Sequence, residues 1–123
     1  MPILDIEIVA PDGPIESSLT AALADAAGAV LDTELGRTWV RVRELAAAQY
    51  AEDGGGPPAG VRSVFVSVLV ARIPAPTLLR EQVRRLIDEI ATICDRPAEN
   101  VHVLFLPGAA GRMAFGGRLV EAP

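Results

Sequence analysis

The sequence has no lysine. All eleven basic residues are arginine, set against sixteen acidic ones for a formal net charge of −5. No run of basic residues interrupts this acidic balance, so nucleic acid is not an expected partner. A single cysteine, Cys94, excludes an intramolecular disulfide and fits a reducing compartment. It lies along an apolar helical face and reads as buried filler rather than a nucleophile. One histidine, His102, and one cysteine without close spacing cannot build a metal site, and no metal or other cofactor is expected. His102 reads as structural. The glycines at 108, 111, 116 and 117 are followed by no lysine, so turns rather than a phosphate loop are expected there. The longest strongly apolar run, Val64–Ala71, is too short for a bilayer, which takes roughly 20 residues. No basic segment leads into an apolar stretch at the start, so no secretory signal is expected. These absences leave a soluble, cytoplasmic protein with no membrane partner.

What is present is apolar content in alternating and helical patterns. Half of the 123 residues are hydrophobic, ample for the core of one domain. Leu4, Ile6 and Ile8 alternate with Asp5 and Glu7, which predicts a strand buried on one face. Ala10-Pro11-Asp12-Gly13-Pro14 is a turn. Ser17 or Ser18 can cap a helix on which Leu19, Leu23, Ala26, Ala27, Val30 and Leu31 recur, ending near Leu35-Gly36. Thr38–Leu45 predicts a second strand with Val40 and Val42 on one face and Trp39, Arg41 and Arg43 on the other. Ala46–Tyr50 is ambiguous.

The pattern then restarts. Val64–Val70 is a near-continuous apolar strand of the kind buried on both faces of a sheet. After a turn, with Thr77 as a candidate cap, a helix over 76–95 carries Leu79, Val83, Leu86, Ile87, Ile90 and Ile93 on its apolar face. Its outer arginines read as solvation beside Glu81, Asp88 and Glu89. Val101–Leu106 is a fourth strand. Ile8-Val9-Ala10 stands 61 positions before Leu69-Val70-Ala71, and Val40-Arg41-Val42 stands 61 before Val101-His102-Val103. The expected organisation is therefore a single α/β domain of two tandem β-α-β units: repeat one over 2–53, a linker over 54–61 and repeat two over 62–123. The two units should share one four-stranded sheet with both helices on one face. The other face is then partly apolar and needs a cover, for which oligomerisation is the simplest source.

The chemistry centres on Met1-Pro2. Proline in second position is small enough for the initiator methionine to be removed, which would leave Pro2 as a terminal secondary amine. An α-amino group titrates near about 7.7–8.0, and apolar burial pushes it down because desolvation disfavours the charged form. Such a nitrogen is a base near neutral pH without any histidine. Moving a proton next to a carbonyl also needs cations for a carboxylate and for enolate charge, and a dry apolar wall. Arg72 and Arg41 can supply planar, bidentate donors, and Trp39, Tyr50, Phe65 or Phe115 can line the wall. Arg41 can equally pair with Asp5 or Glu7 as a solvent-facing residue, and Arg43 reads as peripheral.

The Met-Pro start, the duplicated β-α-β unit and the tail through Met113-Ala114-Phe115-Gly116-Gly117 together resemble the tautomerase superfamily, the family of 4-oxalocrotonate tautomerase and macrophage migration inhibitory factor. The length and fused halves resemble its malonate semialdehyde decarboxylase and cis-3-chloroacrylic acid dehalogenase branches. The resemblance implies a cofactor-independent tautomerase or isomerase acting on a small-molecule carboxylic acid. It implies Pro2 as catalytic base or acid, Arg72 on the substrate carboxylate and Arg41 on the carbonyl or far carboxylate. Trp39, Tyr50 and Phe115 would be substrate-binding, and a homotrimer is expected. Phe115 stands where the dehalogenase branch has a water-activating glutamate, and Pro74 where the decarboxylase branch has an arginine. Hydratase, dehalogenase or decarboxylase chemistry with Pro2 as acid, and a non-catalytic binding module of the same fold, are the alternatives.

Overall fold

The first strand sets the frame because both halves of the chain pair onto it. The computed structural model describes residues 1–55, 60 and 62–122. Its main elements are β1 (Ile3–Val9), α1 (Ser17–Val30), β2 (Trp39–Leu45), β3 (Val64–Leu69), α2 (Pro76–Cys94), β4 (Val101–Phe105), β5 (Ala114–Phe115) and β6 (Arg118–Leu119). The sheet order is β2-β1-β3-β4, with β1/β2 and β3/β4 parallel and β1/β3 antiparallel. Two β-α-β units thus meet along their first strands. Both helices pack together on one face of the sheet, as the α/β reading expects. The predicted linker falls largely on residues 56–59 and 61, which lie outside the described residues.

The core is the layer between sheet and helices. Leu4, Ile6 and Ile8 from β1 and Val64, Val66 and Val68 from β3 face Leu23, Ala27 and Val30 of α1 and Leu86, Ile90 and Ala91 of α2. The apolar run of β3 is covered on this face only. Phe65 and Leu69 point to the other side, where Phe65 is 36% and Leu104 of β4 is 60% exposed. The run reads as buried on both faces because Phe65 and Leu69, on the open side, are apolar too and only Ser67 interrupts them. A single chain has no second layer to cover them.

The helix ends differ from the sequence expectation. α1 starts from Glu16, whose carbonyl accepts from Leu19 and Thr20 N–H, and no serine side chain caps it. α2 starts at Pro76, whose fixed φ suits the first helical position, with Ala75 rather than Thr77 as the flanking residue. α1 stops at Val30, five residues before Leu35. Asp32 adopts a left-handed φ of 54°, and Thr33 N–H donates to Gly28 O while Asp32 N–H donates to Ala29 O. α2 closes in the same way, with Asp95 at φ 54°, Arg96 N–H on Ala91 O and Asp95 N–H on Thr92 O. In both helices an aspartate takes the place usually given to glycine, so the stop is not visible as a glycine in the sequence.

Arg96 locks the halves together beyond this stop. Its Nη1 donates to Val9 O at 3.1 Å and to Arg62 O at 2.8 Å, bridging the end of β1 and the approach to β3. Arg96→Ala is expected to destabilise the protein by about 2–3 kcal/mol, because two partly buried carbonyls lose a charged donor. A urea unfolding midpoint unchanged from wild type would show that this bridge contributes nothing.

Among the described residues, no helix is long and apolar enough to cross a membrane.

Candidate active site

Strand register decides which residues share an end of the sheet. Ile3 pairs with Trp39 on β2 and with Leu69 on β3, and Val68 pairs with Phe105 on β4. The start of β1, the approach to β2 and the ends of β3 and β4 therefore meet at one end. Pro2 is buried there, and its carbonyl accepts from Trp39 N–H at 3.0 Å. Thr38 and Arg37 precede β2 as Pro2 and Met1 precede β1.

The chain after β4 closes over this end. Ala109 N–H donates to Val70 O and Ala110 N–H to Ala71 O, both at 2.9 Å. Gly108 makes the close approach possible, since a Cβ there would stand 3.1 Å from Ala71 O. The β5–β6 hairpin follows, turning through Gly116 and Gly117 at φ 58° and 82°, the pair of positive angles that a tight two-residue hairpin demands. It runs from the β4 edge toward the β2 edge, three strand spacings or about 14 Å. There it sets Phe115, only 3% exposed, against Trp39 at a ring separation of 6.0 Å. Trp39 Nε1 donates to Gly36 O, which fixes the indole. Trp39 and Phe115 thus form an aromatic pair at the end of the sheet where Pro2 lies.

Arg72 reaches the same end, three residues past Leu69, and its Nη2 donates to Glu121 O at 2.9 Å. One of its five N–H donors is used by this bond. Arg37, which the sequence reading passed over, donates from Nη1 to the Met1 thioether at 3.3 Å. The signal for it was available in the β-α-β repeat, since parallel pairing of β1 and β2 sets the residues preceding each strand side by side.

Two of the expected site residues lie elsewhere in the single chain. Arg41, 73% exposed, makes a bidentate pair with Asp5, with Nε on Oδ1 at 2.6 Å and Nη2 on Oδ2 at 2.8 Å. The pair lies on the open sheet face two residues along β2 from Trp39. The Asp5 carboxylate raises the Arg41 pKa above its ordinary value through the hydrogen bond first and charge attraction second. Arg43 stands beside Glu7 in the next row at 3.9 Å. Tyr50 lies at the opposite end of the sheet, about 20 Å away along the seven residues of β1. Its hydroxyl donates to Glu52 Oε2 at 2.6 Å and lies 3.2 Å from Ser63 Oγ, and its ring is 6.0 Å from Phe65. His102 stacks near Phe65 at 5.2 Å on the open face, away from Pro2.

Cys94 is half-buried beside Arg96, and burial pushes its thiol up, with the Arg96 charge opposing. A thiol held in its neutral form is a poor nucleophile. Among the described residues, no group of three or more metal-ligating side chains converges.

No protein-family model matches the sequence, and no curated protein matches it. Solved structures do match. The chain is similar to a wild-type symmetric trimer of fused 4-OT at 19% identity and a TM-score of 0.78, over 96% of this chain and 94% of that one. It is also similar to macrophage migration inhibitory factor from Oncomelania hupensis, at 21% identity and a TM-score of 0.75 over 98% of this chain and 83% of that one. A third match is N1, a member of the cis-3-chloroacrylic acid dehalogenase family, at 18% identity and a TM-score of 0.75 over 97% and 85%. These likenesses span nearly the whole chain, which therefore has the tautomerase-superfamily fold in its fused two-repeat form.

Proposed function

We propose that the protein is a cofactor-independent tautomerase or isomerase that moves a proton within a small 2-oxo or 2-hydroxy unsaturated carboxylic acid. The observation that carries this reading is the convergence at one end of the sheet. Buried Pro2, whose carbonyl accepts from Trp39 N–H, the Trp39–Phe115 pair and Arg72, with one donor on Glu121 O, all belong to that end. After Met1 removal the Pro2 nitrogen is the general base. Burial and the arginine charges both favour its neutral form. Arg72 holds the substrate carboxylate, and the aromatic wall excludes water so that enolate charge is stabilised by fixed cations. Arg41 joins only through donors not already given to Asp5. The reading is tested by ketonisation of phenylenolpyruvate and 2-hydroxymuconate, followed by ultraviolet absorbance on protein whose intact mass lacks Met1. Background rates on both would remove it for these substrates and leave the hydratase-like and binding readings.

The assembly proposed is a homotrimer, as in the fused 4-OT structure of similar fold. The open sheet face supports it, because Phe65, Leu69 and Leu104 line one half and the Asp5–Arg41 and Glu7–Arg43 pairs the other. A second copy can cover the apolar half and bring a residue such as Tyr50 toward a neighbour's Pro2. Leu104→Asp is expected to shift the mass in size-exclusion with light scattering from three chains to one, since a buried unpaired carboxylate opposes association. A wild-type monomer mass would sink the trimer.

A further inference from the structure

Met1, Arg37 and Pro2 form a group whose chemistry changes when the chain is processed. Most arginines of the described residues have an oxygen partner. Arg41, Arg43, Arg62 and Arg84 pair with carboxylates, while Arg72, Arg96 and Arg112 donate to main-chain carbonyls. Arg37 instead gives Nη1 to the thioether of Met1, at 3.3 Å. A thioether is a weak acceptor, so the contact holds the guanidinium in place without satisfying it. The backbone fixes where this happens. Trp39 N–H on Pro2 O sets the start of β2 against the start of β1, and Arg37 N–H donates to Glu34 O at 3.1 Å in the turn before it. Arg37 therefore lies at the Pro2 end of the sheet on the β2 side, while Arg72 follows β3 at the same end.

We propose that Arg37 is a substrate-binding residue of the Pro2 site, taking a substrate carboxylate into the place that the Met1 thioether occupies in the unprocessed chain. The inference rests on the reading of Pro2 as the reactive terminus. Removing Met1 then does two things at once: it converts the Pro2 nitrogen from amide to amine, and it releases a guanidinium whose fork fits a carboxylate bidentately. A 2-oxo acid is held from both flanks, with Arg37 on one side of the proline nitrogen and Arg72 on the other.

Calorimetric titration with phenylpyruvate, the product of phenylenolpyruvate ketonisation, tests this without relying on turnover. Processed wild type, Arg37→Gln and an Arg43→Gln control are compared, along with Met1-retained protein made with methionine aminopeptidase inhibited and checked by intact mass. Arg37→Gln and the Met1-retained form are expected to bind at least about tenfold more weakly, and Arg43→Gln within about twofold. In turnover, Arg37→Gln should raise KM by a similar factor while kcat stays within about threefold, as loss of uniform binding requires. Arg37→Lys should recover part of the affinity. Binding by Arg37→Gln at wild-type strength, or no saturable binding by processed wild type, would overturn the proposal. The role of Pro2 is judged separately, by turnover in Pro2 variants. A Pro2 variant that keeps full turnover would end the base assignment whatever the titration gives.

Discussion

Pro2→Ala in the processed protein is expected to lower kcat on an active enol substrate by about 10²-fold, at the lower end of what a positioned general base contributes. Alanine keeps a terminal amine, so the base is not abolished. What is lost is its placement. The pyrrolidine ring is buried and fixes the direction of the nitrogen lone pair, whereas an alanine amine rotates and holds more water. The Trp39 N–H bond to the residue-2 carbonyl, 3.0 Å in the wild type, needs no proline side chain and should persist. The variant should therefore fold and assemble as wild type, by circular dichroism and light scattering. Retaining Met1 is the stronger change, because an amide nitrogen is not basic, and it should bring the rate to background. Turnover that survives both changes would remove Pro2 from the chemistry.

Leu86→Ala is expected to give the largest loss of stability, about 2–5 kcal/mol. Leu86 is 1% exposed on α2, within the cluster that includes Leu23 of α1 and Val66 and Val68 of β3. Truncation removes the transfer free energy of the side chain and leaves a cavity that a two-layer domain closes poorly. The comparison belongs at fixed protomer concentration, because association with other copies adds to apparent stability. A fall in the urea midpoint equivalent to less than about 1 kcal/mol would mean that the core collapses around the site.

The burial of Leu86 was legible beforehand, as were most of the elements. Alternation of Leu4, Ile6 and Ile8, helical spacing of Leu79, Val83, Leu86 and Ile90, and the 61-residue repeat determine two β-α-β units and one shared sheet. These follow from local periodicity and from the need to bury one face of each element. The stop of α1 escaped because Asp32 adopts a conformation in which glycine is the usual signal, whereas α2 ends within a residue of its expected end. The site was half legible. Pro2, Trp39, Arg72 and Phe115 reach one end of the sheet because strand register puts them there. Composition and motif pointed to Arg41, but only the cross-strand pairing of β1 with β2 sets it opposite Asp5 and commits its donors. The same pairing brings Arg37 to Met1. Tyr50 lies a strand's length from Pro2 in its own chain, since it follows β2 where Pro2 precedes β1. The sequence by itself determined the elements, their duplication and the proline at position 2, because those are read along the chain. Which arginine is spent on a neighbouring carboxylate and which reaches the Pro2 end of the sheet was decided by the tertiary structure alone, because a side chain's partners depend on the strand next to it rather than on its own.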